Sequence, residues 1–212
     1  WRAIFVFQAP IAGAALLATA GSHVAAILEE GWRPRLWLTV PGNLALALLS
    51  YGGAVAQQLA FDHPDRVRRL VLAATSCGLG AVPGSFGAMA SLVTPMRYYS
   101  PTYFDRTAAL SYGGMTGRDL SVRRRMMAER HRHPPSAYGY AMQLLGTVGW
   151  SSLPFLTRIP HDTLVIVGDD DPLIPLVNAE LLARRIPRAR LEIAPRSGHL
   201  FLEADVGDAG DR

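Results

Sequence analysis

Three side chains suited to nucleophilic catalysis stand far apart in this sequence: Ser50, Asp171 and His199. A serine hydroxyl is a weak nucleophile until an imidazole takes its proton. The imidazole in turn needs a carboxylate to fix its tautomer and to stabilise the cation that forms. Ser50 lies between the apolar run Leu44-Ala45-Leu46-Ala47-Leu48-Leu49 and the small pair Gly52-Gly53. Asp171 ends the run Asp169-Asp170-Asp171 after Gly168, and His199 follows Ser197-Gly198. The 28 positions between them (199 minus 171) leave room for one helix and one strand.

Such residues meet only if the elements around them bring them to one place. Short apolar runs predict strands at Ile4–Phe7, Arg35–Val40, Leu44–Leu49, Arg69–Ala74, Thr163–Val167 and Arg190–Ala194. Between them, helical patterns cover Ala14–Glu30, Gly52–Phe61 and Leu176–Ile186, the last followed by Pro187. This alternation predicts an α/β fold with a mostly parallel sheet and helices on both faces. Ser50, Asp171 and His199 each follow a predicted strand, so all three fall at the carboxyl edge of the sheet, where open parallel sheets collect ligands. The rhythm stops from Cys77 to Pro160, a stretch too long for a loop, with helical patterns at Leu120–Arg132 and Ser136–Val148. The expected organisation is an incomplete first part of the core at 1–76, an inserted helical cap at 77–160, the rest of the core at 161–203 and a disordered tail at 204–212.

Composition narrows the function. Half of the 212 residues are apolar, enough for one buried core. The net charge is +4, and all 21 basic residues are arginine, scattered without interleaved aromatics, which argues against nucleic acid as a partner. A single cysteine, Cys77, excludes an internal disulfide and reads as inert packing in a reducing, cytoplasmic compartment. Residues 3–28 carry no charge, but Pro10, Gly13 and Gly21 interrupt them, so a strand and an apolar helix are preferred to an export or membrane segment. Arg118–His133, with six arginines and two histidines, reads as a solvated helix, contact with a granule or membrane surface being the alternative. His131 and His133 have no further ligands nearby, so no metal site is expected. The methionines read as core filling or as an acyl groove, and Trp150 as packing beside them.

From Ser50 to Leu202 the sequence resembles the α/β-hydrolases of the intracellular polyhydroxyalkanoate depolymerase-like group. The resemblance is carried by Ser50-Tyr51-Gly52-Gly53-Ala54-Val55-Ala56-Gln57-Gln58, His63-Pro64-Asp65-Arg66-Val67, Tyr112-Gly113-Gly114, Gly168 to Pro175, and Gly198-His199-Leu200-Phe201-Leu202. It implies hydrolysis of hydrophobic 3-hydroxyacyl esters through an acyl-enzyme on Ser50, without cofactor or metal. His199 would be the base and Asp171 its partner, at the acid position of a Gly-x-x-Asp-x-x-x-Pro pattern, with Asp169 and Asp170 solvated or capping. Lactone, carbon–carbon and peroxide chemistry on the same scaffold, or a non-catalytic acyl-binding remnant, are the alternatives. The Tyr51 backbone N–H would open the oxyanion hole, with Ala9 or Ile11 giving the second donor, since Pro10 has none. Two departures stand out. Leu48 replaces the first glycine of the family's Gly-x-Ser-x-Gly turn, and almost nothing separates Pro41-Gly42 from the strand expected before Ser50. Both ends therefore read as cut or altered relative to the family.

Overall fold

The computed structural model describes residues 42–132 and 134–201, with side chains from 50 onward except those of 129, 131, 132 and 147. The strands expected at Ile4–Phe7 and Arg35–Val40, the helix at Ala14–Glu30, the donors Ala9 and Ile11, the side chain of His131, His133 and the 204–212 tail lie outside what is described.

Three strands, β1 (Arg69–Ala73), β2 (Asp162–Gly168) and β3 (Ala189–Ala194), form a parallel sheet in that order. Arg69 pairs with Asp162 and Thr163 with Ala189, so the three carboxyl ends lie along one edge. β2 runs Thr-Leu-Val-Ile-Val and is buried over most of its length, as a central parallel strand covered on both faces must be. Helix α1 (Gly42–Asp62) precedes the sheet. Between β1 and β2 come α2 (Phe86–Ser91), α3 (Met96–Tyr99), α4 (Pro101–Tyr112), α5 (Gly114–Arg118), α6 (Leu120–Arg132) and α7 (Ala137–Thr147). Helix α8 (Leu176–Arg185) links β2 to β3.

Local chemistry explains the boundaries. Ser85, Ser100 and Ser136 each accept a hydrogen bond from the backbone N–H three residues on, at 3.2, 3.2 and 3.0 Å, capping α2, α4 and α7. Pro101 occupies the first position of α4, where its missing N–H has no cost. Helix α8 turns Ala179 and Leu182 onto β2, and Leu70, Leu72, Val165, Val167, Phe155 and Ile159 complete the main core. A second cluster joins Phe104, Tyr112, Val122, Met126 and Met127 to Leu200, next to His199. No helix among the described residues is long and apolar enough to cross a membrane.

One expectation fails. Leu44–Leu49 is not a strand; it is the first half of α1, which runs unbroken through Ser50 to Asp62. Leucine and alanine are among the strongest helix formers, and a helix satisfies its own backbone, whereas a strand needs a neighbour within reach. The few residues after Pro41 are too few for a parallel crossover, which needs roughly a dozen. Among the described residues, β1 accordingly ends the sheet.

Candidate active site

Two loops, one after β2 and one after β3, bring Asp171 and His199 together. His199 Nδ1 donates to Asp171 Oδ2 at 2.8 Å, with side-chain exposures of only 2% and 0%. The other carboxylate oxygen, Oδ1, accepts the Leu173 and Ile174 backbone N–H groups at 2.8 and 2.9 Å, which sets the rotation of the carboxylate. The imidazole is placed by its own backbone. His199 N–H donates to the Tyr112 carbonyl at 2.7 Å, and the Tyr112 ring stacks on it at 6.4 Å. A buried carboxylate that fixes Nδ1 leaves Nε2 free of the proton and able to accept one.

Glycines permit this closeness. Gly113 and Gly114 have φ of 58° and 51°, in the left-handed region. A Cβ on Gly114 would lie 2.2 Å from Gly198 N, and one on Gly198 would lie 1.9 Å from the Tyr112 carbonyl oxygen. The Tyr112-Gly113-Gly114 turn is therefore wedged between the loops that carry Asp171 and His199. Asp169 and Asp170 have separate tasks: Asp169 accepts from Ser197 N–H at 3.2 Å, and Asp170 accepts from Gly114 N–H at 2.9 Å and from Arg118 at 2.9 Å.

Ser50 reaches the same edge of the sheet by a different route from the one expected. Its carbonyl accepts the Thr75 hydroxyl at 2.8 Å, and Thr75 stands just past the carboxyl end of β1. Ala74 before it has φ of 42°, rare for a residue with a side chain. Gly53 makes room for this junction, since a Cβ there would fall 2.4 Å from the Thr75 side chain. Gln57, fully buried, completes it, donating to the Gly53 and Ser76 carbonyls at 3.0 and 3.1 Å and accepting from Ser152 at 2.6 Å. The sharp strand-to-helix turn expected at Ser50 is absent, because Ser50 and Tyr51 lie inside α1. There the Tyr51 N–H is committed to the carbonyl four residues earlier and does not serve as an oxyanion donor. The Tyr51 side chain lies in the helical segment, its hydroxyl beside Gly146, and burial raises its phenol above the ordinary value.

Other residues resolve by packing. Cys77 is fully buried, and burial pushes its thiol up. Trp150 donates to Gln58 at 3.0 Å and packs on Gly78. Arg130 departs from the solvated helix expected: it is buried against the rings of Tyr98, Phe104 and Tyr112 at 4.9 to 5.2 Å. Aromatic faces accommodate a guanidinium in this way. Among the described residues, no group of His, Cys, Asp and Glu is arranged to hold a metal.

The sequence profile of the alpha/beta hydrolase fold matches residues 49–205, most of the chain. The chain belongs to the α/β-hydrolase family. Within it, this α/β-hydrolase is 44% identical over 161 residues to the poly(3-hydroxyalkanoate) depolymerase of Ectopseudomonas oleovorans, a match covering 76% of this chain and 56% of that protein. It is 32% identical over 182 residues to the pimeloyl-(acyl-carrier protein) methyl ester esterase of Aromatoleum aromaticum, covering 80% and 72%. A 2-hydroxymuconate semialdehyde hydrolase of a Pseudomonas species is 34% identical over 162 residues, covering 71% and 53%. The chain thus spans little more than half of the depolymerase and the semialdehyde hydrolase. Among solved structures, a thermophilic esterase from Thermogutta terrifontis aligns with a TM-score of 0.57 at 26% identity, over 76% of this chain and 59% of that one.

From sequence, Asp170 reads as solvated or capping and Arg118 as part of a solvated helix, and the junction they make with the Tyr112-Gly113-Gly114 turn is missed. The signal for it was the pair of glycines after Tyr112, a sign that two backbones come close there.

Proposed function

We propose that this α/β-hydrolase chain carries the nucleophile, base and acid of a serine carboxylic-ester hydrolase acting on hydrophobic hydroxyacyl esters. The observation that carries this reading is the buried Asp171–His199 pair at 2.8 Å, on the same sheet edge as Ser50. Similarity to the depolymerase supports the substrate class. In the proposed cycle the Ser50 hydroxyl attacks the ester carbonyl while its proton passes to His199 Nε2. The tetrahedral intermediate then expels the alcohol, which takes that proton back. Water, deprotonated by the same nitrogen, releases the hydroxy acid from the acyl-Ser50 ester. Asp171 holds the imidazole and stabilises its cation throughout.

The oxyanion donor sets a condition on this cycle. Only the first N–H groups of a helix are free to donate outward. The Tyr51 amide lies inside α1 and is not among them, so the oxyanion donors come from elsewhere in the chain. Ala9 or Ile11 would give one of them. Association with a granule or membrane surface is part of this proposal, supported by the apolar area that Phe86, Val93 and Tyr138 expose.

The test is labelling with a fluorophosphonate, mapped by mass spectrometry. The expected adduct is on Ser50 and is absent in Ser50→Ala, which also loses hydrolysis of short p-nitrophenyl acyl esters by about ten-thousandfold. Turnover of lactones, peroxide-forming acids or ring-cleavage dienoates in preference to esters would move the chain to another hydrolase reaction. A second reading, a non-catalytic acyl-binding module, is favoured by the unbroken helix through Ser50. Absence of any adduct in a folded chain would select it.

A further inference from the structure

The helical segment between β1 and β2 touches the histidine loop at one charged junction. Asp170 Oδ2 receives two donors, the Gly114 N–H and Arg118 Nη1, both at 2.9 Å. The other Arg118 nitrogen, Nη2, donates to the Arg196 carbonyl at 2.6 Å. One guanidinium therefore joins three pieces of chain: α5, the loop after β2 and the loop after β3. Arg196 is held at φ of 55°, and three residues later His199 N–H donates to the Tyr112 carbonyl at 2.7 Å. The Asp170 N–H closes the ring of contacts by donating to the Ser197 carbonyl at 2.9 Å.

We propose that Arg118 and Asp170 are positioning residues, which seat the Tyr112–Arg118 turn and the His199 loop as one unit. A surface ion pair alone contributes little, and this one is half exposed, at 53% and 51%. Its effect comes from geometry. A planar fork with several fixed donors spans a carboxylate and a carbonyl at once, which a point charge does not. Opening the junction releases Gly114 from Asp170 and Arg196 from Arg118. The Tyr112 carbonyl, which orients the His199 backbone, is then free to move with the turn. The proposal rests on His199 being the base, but the geometry it describes is measurable without turnover.

The experiment is amide hydrogen exchange by NMR on the full chain, comparing the parent with Arg118→Gln and Arg118→Lys. Arg118→Gln is expected to speed exchange at the Gly114 and His199 amides by the same factor, roughly fivefold, the upper end for an exposed charge pair. The β2 amides stay unchanged. The His199 Nδ1 proton resonance, held by Asp171, broadens in parallel. Arg118→Lys keeps the charge near Asp170 but cannot span both acceptors, so the Gly114 and His199 rates stay raised as in Arg118→Gln; recovery to the parental rates would show that charge alone suffices and overturn the proposal. Where ester turnover is present, Arg118→Gln lowers kcat by a similar factor and leaves KM unchanged. Gly114 exchange that rises while His199 stays protected overturns the proposal, as does parental exchange at both sites. So does an equal rise throughout β2, which would mark general destabilisation. A chain without esterase activity but with coupled exchange keeps the junction and sinks only the esterase reading.

Discussion

Replacing Asp171 with asparagine is expected to leave His199 in place and reverse its proton. Asp171 Oδ1 faces two backbone donors, Leu173 N–H at 2.8 Å and Ile174 N–H at 2.9 Å. An asparagine at this position must keep its carbonyl oxygen there, because its NH2 group would otherwise point at two N–H groups. The NH2 then occupies the site of Oδ2, 2.8 Å from His199 Nδ1. Two donors cannot share that distance, so the imidazole gives up its Nδ1 proton, accepts from the amide and carries its proton on Nε2. An Nε2–H group cannot take the proton of Ser50. The rate of acylation should fall by about ten-thousandfold, the loss known for this substitution in serine triads. That corresponds to about 5.5 kcal/mol of barrier. Stability should change far less, by about 1 kcal/mol, because a charged hydrogen bond becomes a neutral one of the same shape. The assays are 15N NMR of the imidazole, which distinguishes the tautomers, the second-order rate of fluorophosphonate labelling, and thermal unfolding. Labelling within tenfold of the parent, or an imidazole still protonated on Nδ1, would refute the reasoning.

Two more perturbations test the packing around the site. Gly198→Ala places a methyl group 1.9 Å from the Tyr112 carbonyl oxygen and should cost about 1–3 kcal/mol as the two backbones part, read as a lower urea midpoint; an unchanged midpoint contradicts the wedge. Tyr140, whose hydroxyl donates to the Leu92 carbonyl, has its phenol pushed up to about 12 by burial, although Arg97 opposes the shift. The unfolded chain releases this proton near the ordinary value of about 10, so from there up to about 12 the folded state holds more protons and its stability falls as pH rises. Tyr140→Phe should make the melting temperature less steep in pH across that window, and parallel curves for parent and variant would count against the burial argument.

Much of the sheet and its flanking helices was legible because each element carries its own pattern. Leu176–Arg185 shows an apolar period and β2 a continuous apolar run, and Ser136 and Pro187 mark ends through backbone chemistry that needs no tertiary partner. Asp171 and His199 were legible because strand ends and chain order place them on one edge. Leu44–Leu49 was not, because an apolar run of six has no period to separate strand from helix; the outcome turns on whether a neighbouring strand stands within reach. Arg130 was hidden for a related reason. Its helix looks charged all round, and only the approach of Tyr98, Phe104 and Tyr112 from another element makes a buried guanidinium tolerable. The junction at Asp170 joins residues 52 and 56 positions apart, beyond the range of any local signal.

The register of the sheet also orders the birth of the fold. Pairing Thr163 with Ala189 closes a loop of 26 positions (189 minus 163), whereas pairing Arg69 with Asp162 closes one of 93 (162 minus 69). The longer closure costs about 1 kcal/mol more in chain entropy and must await the helices synthesised between the two strands. The β2–α8–β3 unit should therefore nucleate first and act as the template onto which β1, made earlier by the ribosome, finally docks.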